Sequence, residues 1–147
     1  RGLDLCKNTE RRSNAFITGE CDLFDSAKGE GYDIKSSWSI KTFPITAEEC
    51  ADKDYEYQAR GYMALWGAQK WTVAYCLMDT PPHLIGYESI ELHVVSHIPE
   101  HMRLTSWTIQ RDATKEAAIY EKVAHARDYF RQVVEEFDRT HAEMEMA

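Results

Sequence analysis

The sequence of 147 residues lacks the run of about 18 apolar residues that a membrane-spanning helix needs. It also lacks a charged and then apolar opening segment of the kind that directs secretion. No internal repeat and no low-complexity stretch occurs. With 44% hydrophobic and 29% charged residues, the composition is that of an ordinary globular domain. We therefore expect a cytoplasmic protein without a membrane partner.

Cysteine pairs of the kind that hold a metal or a redox centre are missing too. The four cysteines are scattered, and no Cys-x-x-Cys pair occurs. This spacing argues against a zinc ribbon and against a thioredoxin-like redox site. Neither a P-loop nor a GxGxxG motif is present. Because a chain of this length builds a core without disulfides, we expect free thiols in a reducing compartment.

Positive charge is in short supply. The chain has 17 Lys and Arg against 25 Asp and Glu, which gives a net charge of −8. This balance excludes a general basic coat for nucleic acid, such as a histone-like protein carries. The deficit is uneven, because residues 1–41 hold seven basic and seven acidic side chains and are neutral. A local basic groove in that first third remains compatible with the composition.

Hydrophobic periodicity predicts a mixed sheet flanked by helices. Alternating or continuous apolar patterns, bounded by turn residues, indicate four strands: 15–24, 32–40, 71–78 and 103–109. Helical spacing predicts a helix over 52–67 and a long final helix that follows Asp112 and frays over 141–147. Residues 83–98 favour a weaker helix, although Ile90, Leu92 and Val94 in that segment would also suit a strand. The order β, β, α, β, (α), β, α places the chain in the α/β (α+β) class.

The helix predicted over 52–67 carries signals for both of its ends. Asp52 or Asp54 can cap its first turn, and Gly67 can close its last turn. The final helix has an apolar seam that we expect to be buried, formed by Ile119, Val123, Ala126, Phe130, Val133, Val134 and Phe137.

Charged side chains concentrate where the first two predicted strands meet. Asp22 lies near the end of the first strand. Asp33 and Lys35 lie two residues apart in the second, so they share a face, and Ile34 should then point to the core. Two close carboxylates repel each other unless a cation lies between them, and Mg²⁺ takes such oxygen ligands and binds phosphate. An adjacent lysine can orient or deprotonate a water, which suits metal-assisted phosphodiester hydrolysis.

The same residues have a simpler reading that the sequence leaves open. An Asp-x-Lys pair on a strand is more often a solvated pair that contributes little. The following helix adds Gln58 and Tyr62, which are four residues apart and therefore share a helix face. Gly61 between them costs about 1 kcal/mol relative to alanine, which fits close approach by a strand or a ligand backbone. Alternatively, Tyr62 belongs to the core and Gln58 to the surface.

Three short motifs follow one another in the order Gly19-x-x-Asp22, Asp33-x-Lys35 and Gln58-x-x-x-Tyr62. In this order and spacing they resemble the PD-(D/E)XK nuclease superfamily, and within it the phage-type exonucleases (the lambda exonuclease and YqaJ-like group) and the RecB-type nuclease domains. The resemblance spans about residues 15–80 and extends more weakly to the final strand and helix. It implies a restriction-endonuclease-like core.

The resemblance also implies roles for six residues. Metal ligation would come from Asp22, Asp33 and the Ile34 carbonyl, Lys35 would be the catalytic lysine, and Gln58 and Tyr62 would be the supporting helix pair. The implied cofactor is Mg²⁺, with Mn²⁺ as a substitute, and the implied substrate is DNA. A homo-oligomer and a phage recombination partner protein are further expectations, in the cytoplasm of a bacterium or of a phage-infected host.

The beginning of the chain fits the resemblance less well. Many relatives supply a further acid or histidine from a helix upstream of the first motif, and no convincing counterpart is found here. We therefore expect residues 1–147 to form a single nuclease domain without that upstream N-terminal helix. The activity implied is that of a metal-dependent deoxyribonuclease, and the alternative is a non-catalytic DNA-binding or scaffolding module with a nuclease-like fold.

Overall fold

The computed structural model describes the backbone of residues 6–145 and the side chains of residues 6–141. Its strands are β1 (Arg12–Ser13), β2 (Thr18–Gly19), β3 (Leu23–Asp25), β4 (Glu30–Ser37), β5 (Lys70–Leu77) and β6 (Leu104–Gln110). Its α-helices are α1 (Lys53–Trp66), α2 (Pro82–Ile85) and α3 (Ala113–Glu145), with 3-10 turns at Ile90–Leu92 and Glu100–Met102. The predicted mixed sheet flanked by helices is confirmed.

A four-stranded sheet in the order β3-β4-β5-β6 forms the centre of the fold. The β4 and β5 strands are parallel, and the outer pairs are antiparallel. Since parallel neighbours need a long crossover connection, α1 lies between them in the chain and packs over one sheet face. The core between helix and sheet is formed by residues such as Ala59, Met63, Trp71, Val73 and Ile109.

The α1 helix is fixed at both ends by the residues that the sequence indicated. Asp52 accepts hydrogen bonds from the backbone N–H groups of Asp54 at 2.8 Å and Tyr55 at 3.1 Å. Gly67 ends the helix in the left-handed conformation, with φ of 69°, which glycine adopts without steric cost. The caps therefore define which residues of α1 lie over β4.

The prediction that Ile34 faces the core is wrong. Ile34 is 40% exposed, whereas its neighbour Asp33 is only 5% exposed. The alternation along β4 is as expected, but α1 covers the face that carries Asp33 and Lys35. Among the described residues, no helix covers the opposite face, so Ile34 is left open to solvent.

The strand predicted over 15–24 is two strands in different sheets. The β2 strand pairs with β1 in a separate two-stranded sheet, whereas β3 pairs with β4. The chain bends at Asp22, between the two. Local alternation could not reveal this change of partner.

The helix predicted over 83–98 is also wrong. Only α2 and one short 3-10 turn form there, because Gly86 takes a positive φ of 64° and Asp79 redirects the backbone beyond it. The Asp79 carboxylate accepts hydrogen bonds from the N–H groups of Val95 and Ser96, at 2.6 and 2.8 Å. The segment is a loop tied back on the end of β5.

The final helix starts as predicted, with Asp112 accepting from the N–H groups of Thr114 and Lys115. The seam that was expected to be buried is mostly exposed, since Ile119 and Val123 are partly covered but the later seam residues, such as Phe130 and Phe137, are exposed. The helix continues to Glu145, residues 146–147 lie outside the described part, and the expected fraying over 141–147 stays a prediction. Within residues 6–145, no helix combines the length and apolarity needed to cross a membrane.

Two glycines differ in the space around them, and this gives a test of the packing. A Cβ at Gly31 would lie about 2.0 Å from the Trp71 ring, which is fully buried. A Cβ at Gly61 would meet only Ile17 at 3.6 Å, so the close approach expected at Gly61 is an ordinary contact.

We expect Gly31→Ala to lower the free energy of unfolding by about 1–3 kcal/mol, and Gly61→Ala to raise it by about 1 kcal/mol. Urea unfolding followed by circular dichroism measures both, and equal midpoints would contradict the described packing.

Glu56 joins the two long helices, and its contribution to stability should depend on pH. It accepts from Lys115 at 2.6 Å and from Arg60 at 2.7 Å, and these bonds, Lys115 first, lower the pKa of Glu56. A lowered native pKa stabilises the fold above the unfolded pKa, and this stabilisation is lost as the pH falls through the native pKa. We expect Glu56→Gln to destabilise the protein by about 1 kcal/mol at pH 7, and by much less below about pH 4. Thermal unfolding at both pH values tests this, with the exposed Glu121→Gln as the control.

Candidate active site

Asp22 is placed by the bend between β2 and β3. The bend is held by Asn8, whose backbone N–H donates to the Asp22 carbonyl at 2.7 Å. The pairing of β3 with β4 ends at Tyr32, so the next part of the β4 edge has no strand beside it. The Asp22 carboxylate takes that place and accepts a hydrogen bond from the Ile34 N–H at 2.8 Å.

Asp33 is a buried carboxylate beside this edge. Burial is the main influence on its pKa and raises it, Lys35 opposes this rise, and the Asp22 carboxylate adds to it. The Lys35 ammonium lies 2.6 Å from the Asp33 Oδ2 atom. That oxygen accepts no well-directed hydrogen bond from the described residues. A buried anionic oxygen next to a second carboxylate favours a cation in its vicinity.

Lys35 links the strand to α1. Its Nζ atom lies 3.3 Å from the Gln58 Oε1 atom, which accepts a hydrogen bond from it. The Gln58 amide in turn donates to the Tyr62 hydroxyl at 3.1 Å. The structure therefore brings the predicted helix pair into one hydrogen-bonded chain with the predicted lysine.

Tyr62 belongs to the core as well as to this chain. Its ring packs against Trp66 and Trp71, with centroids 5.8 and 5.2 Å away. The ring also lies over Gly19, where a Cβ would come within 2.7 Å of it. Glycine at the start of the Gly19-x-x-Asp22 motif therefore leaves room for the aromatic ring. Tyr62 is therefore packed against the core and Gln58 is exposed, as one of the two readings expected, and the role of the pair in a functional site stays a prediction.

Sequence reasoning missed Tyr55, which touches the site. The Lys35 ammonium lies 4.2 Å from the centre of the Tyr55 ring, within the range of a cation–π contact. Tyr55 comes three residues before Gln58, a spacing that puts both on one face of a helix. That spacing was the available signal, but aromatic residues at helical spacing are usually core residues.

Histidines do not contribute to a metal site in the described part of the chain. His93, His97 and His101 recur every fourth residue, which would align them on a helix, but this segment is a loop with 3-10 turns. His93 is fully buried, with its ring nitrogens 3.0 Å from the Trp38 carbonyl and 3.0 Å from Glu88. His93 therefore holds the loop that follows β5 close to the end of β4. No group of three or more His, Cys, Asp or Glu side chains within the described residues is arranged to hold a metal.

Trp38 follows directly after the end of β4. Its ring is 42% exposed, donates to Glu88 at 3.2 Å and meets His93 edge-on. It therefore anchors the loop without being a core residue.

Cys21, next to Asp22, is buried, and burial raises the pKa of its thiol to about 11, so it stays protonated near neutral pH.

The donor set fits a hard divalent cation better than zinc. Mg²⁺ retains several waters and binds through one or two carboxylates together with phosphate oxygens. Asp22 and Asp33 offer two carboxylates, and the buried Asp33 Oδ2 atom has only the Lys35 ammonium, 2.6 Å away, beside it. Lys35 supplies a positive charge beside them that is only partly exposed.

The bond between Asp22 and the Ile34 N–H separates a structural role of Asp22 from an electrostatic one. In Asp22→Ala the exposed Ile34 N–H loses its partner, so we expect the free energy of unfolding to fall by about 0.5–1.5 kcal/mol. Asp22→Asn keeps an acceptor oxygen but removes the charge, so we expect near wild-type stability with weaker binding of Mn²⁺. Urea unfolding and calorimetric Mn²⁺ titration measure the two effects. Equal destabilisation by both variants would show that the acceptor oxygen does not matter.

No protein-family model and no curated protein matches the chain, but solved structures do. A phage-related exonuclease from Haemophilus somnus 129PT superposes with a TM-score of 0.88 and 39% sequence identity, over 93% of this chain and 65% of that one. An alkaline exonuclease from Laribacter hongkongensis superposes with a TM-score of 0.67 and 17% identity, over 95% of this chain and 63% of that one. The chain thus spans slightly less than two thirds of either protein. It has the fold of the phage-type exonucleases of the PD-(D/E)XK superfamily.

Proposed function

We propose that this domain is a metal-dependent deoxyribonuclease that hydrolyses DNA phosphodiester bonds, acting from a DNA end as an exonuclease. The observation that carries the proposal is the meeting of Asp22, Asp33 and Lys35 at one edge of the sheet. The 39% identity to a phage-related exonuclease supports the same function. Because one fold can host many chemistries, the arrangement of these three side chains supports a nuclease function more strongly than the fold does.

Asp22 and Asp33 would hold the metal, and we propose Mg²⁺, with Mn²⁺ as a substitute. The Ile34 carbonyl is the third proposed ligand. In an extended strand the N–H and C=O of one residue point to the same side, and the Ile34 N–H points at Asp22. When bound, the ion would supply Lewis acidity at a phosphate oxygen and a lower pKa for bound water.

The protein side chains would orient the reactants. The Lys35 Nζ atom has three N–H donors, which can hold a phosphate oxygen or the attacking water. Gln58 accepts one of these hydrogen bonds and is itself fixed by Tyr62, so the amide oxygen cannot turn away freely. In this reading the helix pair orients the lysine, and the Lys35 ammonium favours the charged form of the buried Asp33 carboxylate.

We also propose that this domain binds a protein partner through α3. The exposed apolar side chains on the second half of α3, among them Phe130, Val133 and Phe137, form the kind of surface that docks another protein. They support a homo-oligomer or a recombination partner protein. A nuclease acting on phage or bacterial DNA would work in the cytoplasm of a bacterium or of an infected host.

The proposed activity predicts cleavage of linear DNA that depends on one lysine and on a divalent cation. With Mg²⁺ or Mn²⁺, we expect release of nucleotides from linear duplex or single-stranded DNA, no loss of circular DNA, and complete inhibition by EDTA. Lys35→Ala should lower the rate by about 100-fold or more, because a proton-transfer or charge-stabilising group is lost. End-labelled DNA resolved on denaturing gels measures this.

The matched control is Lys28→Ala. Lys28 lies in the turn between β3 and β4 and pairs with Asp25 at 2.9 Å, so its loss should leave the rate unchanged. Equal cleavage by wild type and Lys35→Ala would contradict the proposal. Retention of DNA without cleavage would instead indicate the non-catalytic DNA-binding module.

A further inference from the structure

The position of the Lys35 ammonium depends on the groups around it. A lysine stem has four carbons and turns freely, so only contacts at its end can fix it. The described contacts are Asp33 at 2.6 Å, Gln58 at 3.3 Å and the Tyr55 ring at 4.2 Å. Two of these groups are neutral, and both stand on α1.

Tyr55 is itself held from two sides. Its backbone N–H donates to the capping Asp52 at 3.1 Å, which fixes it in the first turn of α1. Its ring packs against Tyr75 with centroids 6.3 Å apart, and Tyr75 is the partner of Lys35 in the β4–β5 register. The ring is therefore in place beside the ammonium before any ligand binds.

The charged contact is the one that a metal would weaken. In the proposed function, Asp33 shares its negative charge with a divalent cation, which also repels the ammonium. The attraction between Lys35 and Asp33 then falls, whereas the contacts with Gln58 and Tyr55 do not depend on that charge. A cation–π contact gains strength where water is excluded, and Lys35 is only partly exposed.

We propose that Tyr55 is a positioning residue that holds the Lys35 ammonium through the face of its ring, most of all when the site carries a metal. The inference rests on the proposed nuclease function and adds a residue to it that lies outside the three motifs described above. Because the ring face makes the contact, phenylalanine at position 55 should preserve the contact with the Lys35 ammonium. Aliphatic side chains should not, although they fill the same space.

The kinetic test compares Tyr55→Phe with Tyr55→Leu at saturating Mg²⁺. Loss of positioning affects the reacting geometry more than binding of the DNA, so we expect kcat of Tyr55→Leu to fall about tenfold. KM should stay within about twofold. Tyr55→Phe should keep kcat within about twofold of wild type. The matched control is Tyr57→Leu, which removes an exposed tyrosine from the same helix, and it should leave kcat unchanged.

A spectroscopic test reports the contact without any activity. The Tyr55 ring current should move the signal of the Lys35 ε-methylene upfield in protein with ¹³C-labelled lysine, where Lys35→Arg identifies that signal. We expect the upfield shift in wild type and Tyr55→Phe, and its loss in Tyr55→Leu. The shift should persist when Mg²⁺ is added. Tyr55→Met, which also fills the space, replaces the leucine variant if the latter does not unfold cooperatively.

The outcomes separate this inference from the proposed function. Wild-type kcat in Tyr55→Leu, an equal loss in Tyr55→Phe, or an unshifted Lys35 signal in wild type would each overturn the role of the ring. If the wild type cleaves no DNA, the nuclease proposal fails, and the Lys35 signal still decides the contact. A signal that is the same in wild type and Tyr55→Leu would then overturn it.

Discussion

The packing of α1 across the parallel strands β4 and β5 is the interaction on which the rest of the structure depends. Trp71 of β5 fills the space over Gly31, and Met63 and Ala59 of α1 close the core above the sheet. This packing brings the first turns of α1 over the end of β4. Without it, the charged residues of the strand would be a solvated surface pair of the kind that contributes little.

The burial of Asp33 distinguishes these charged residues from an ordinary surface ion pair. Asp33 sits under α1, where burial raises its pKa, and Lys35 and Asp22 act on it in opposite directions. Such a carboxylate is costly to keep charged unless cations are close. The overall charge of −8 is therefore less informative than its distribution, because the neutral first third of the chain carries the charged residues of the site.

Several features of the fold and site could be predicted because they depend on local chemistry. Asp52 and Gly67 cap a helix through their own backbone and side-chain geometry. A separation of two on a strand puts Asp33 and Lys35 on one face, and a separation of four on a helix does the same for Gln58 and Tyr62. The failures depend on partners distant in sequence. The bend at Asp22 arises because β2 and β3 pair in different sheets, and the loop after β5 follows from the hold of Asp79 on a backbone sixteen residues away.

The sequence by itself determined which side chains share a face, where α1 begins and ends, where α3 begins, and which superfamily the ordered motifs resemble. Only the tertiary structure decided which face is covered, because periodicity is symmetric between the two sides of a strand and says nothing about the position of α1. For this reason Ile34 was assigned to the core and is exposed, and the far half of the α3 seam has no cover among the described residues. For the same reason Tyr55, a helix residue of ordinary appearance, turned out to lie against the lysine of the site.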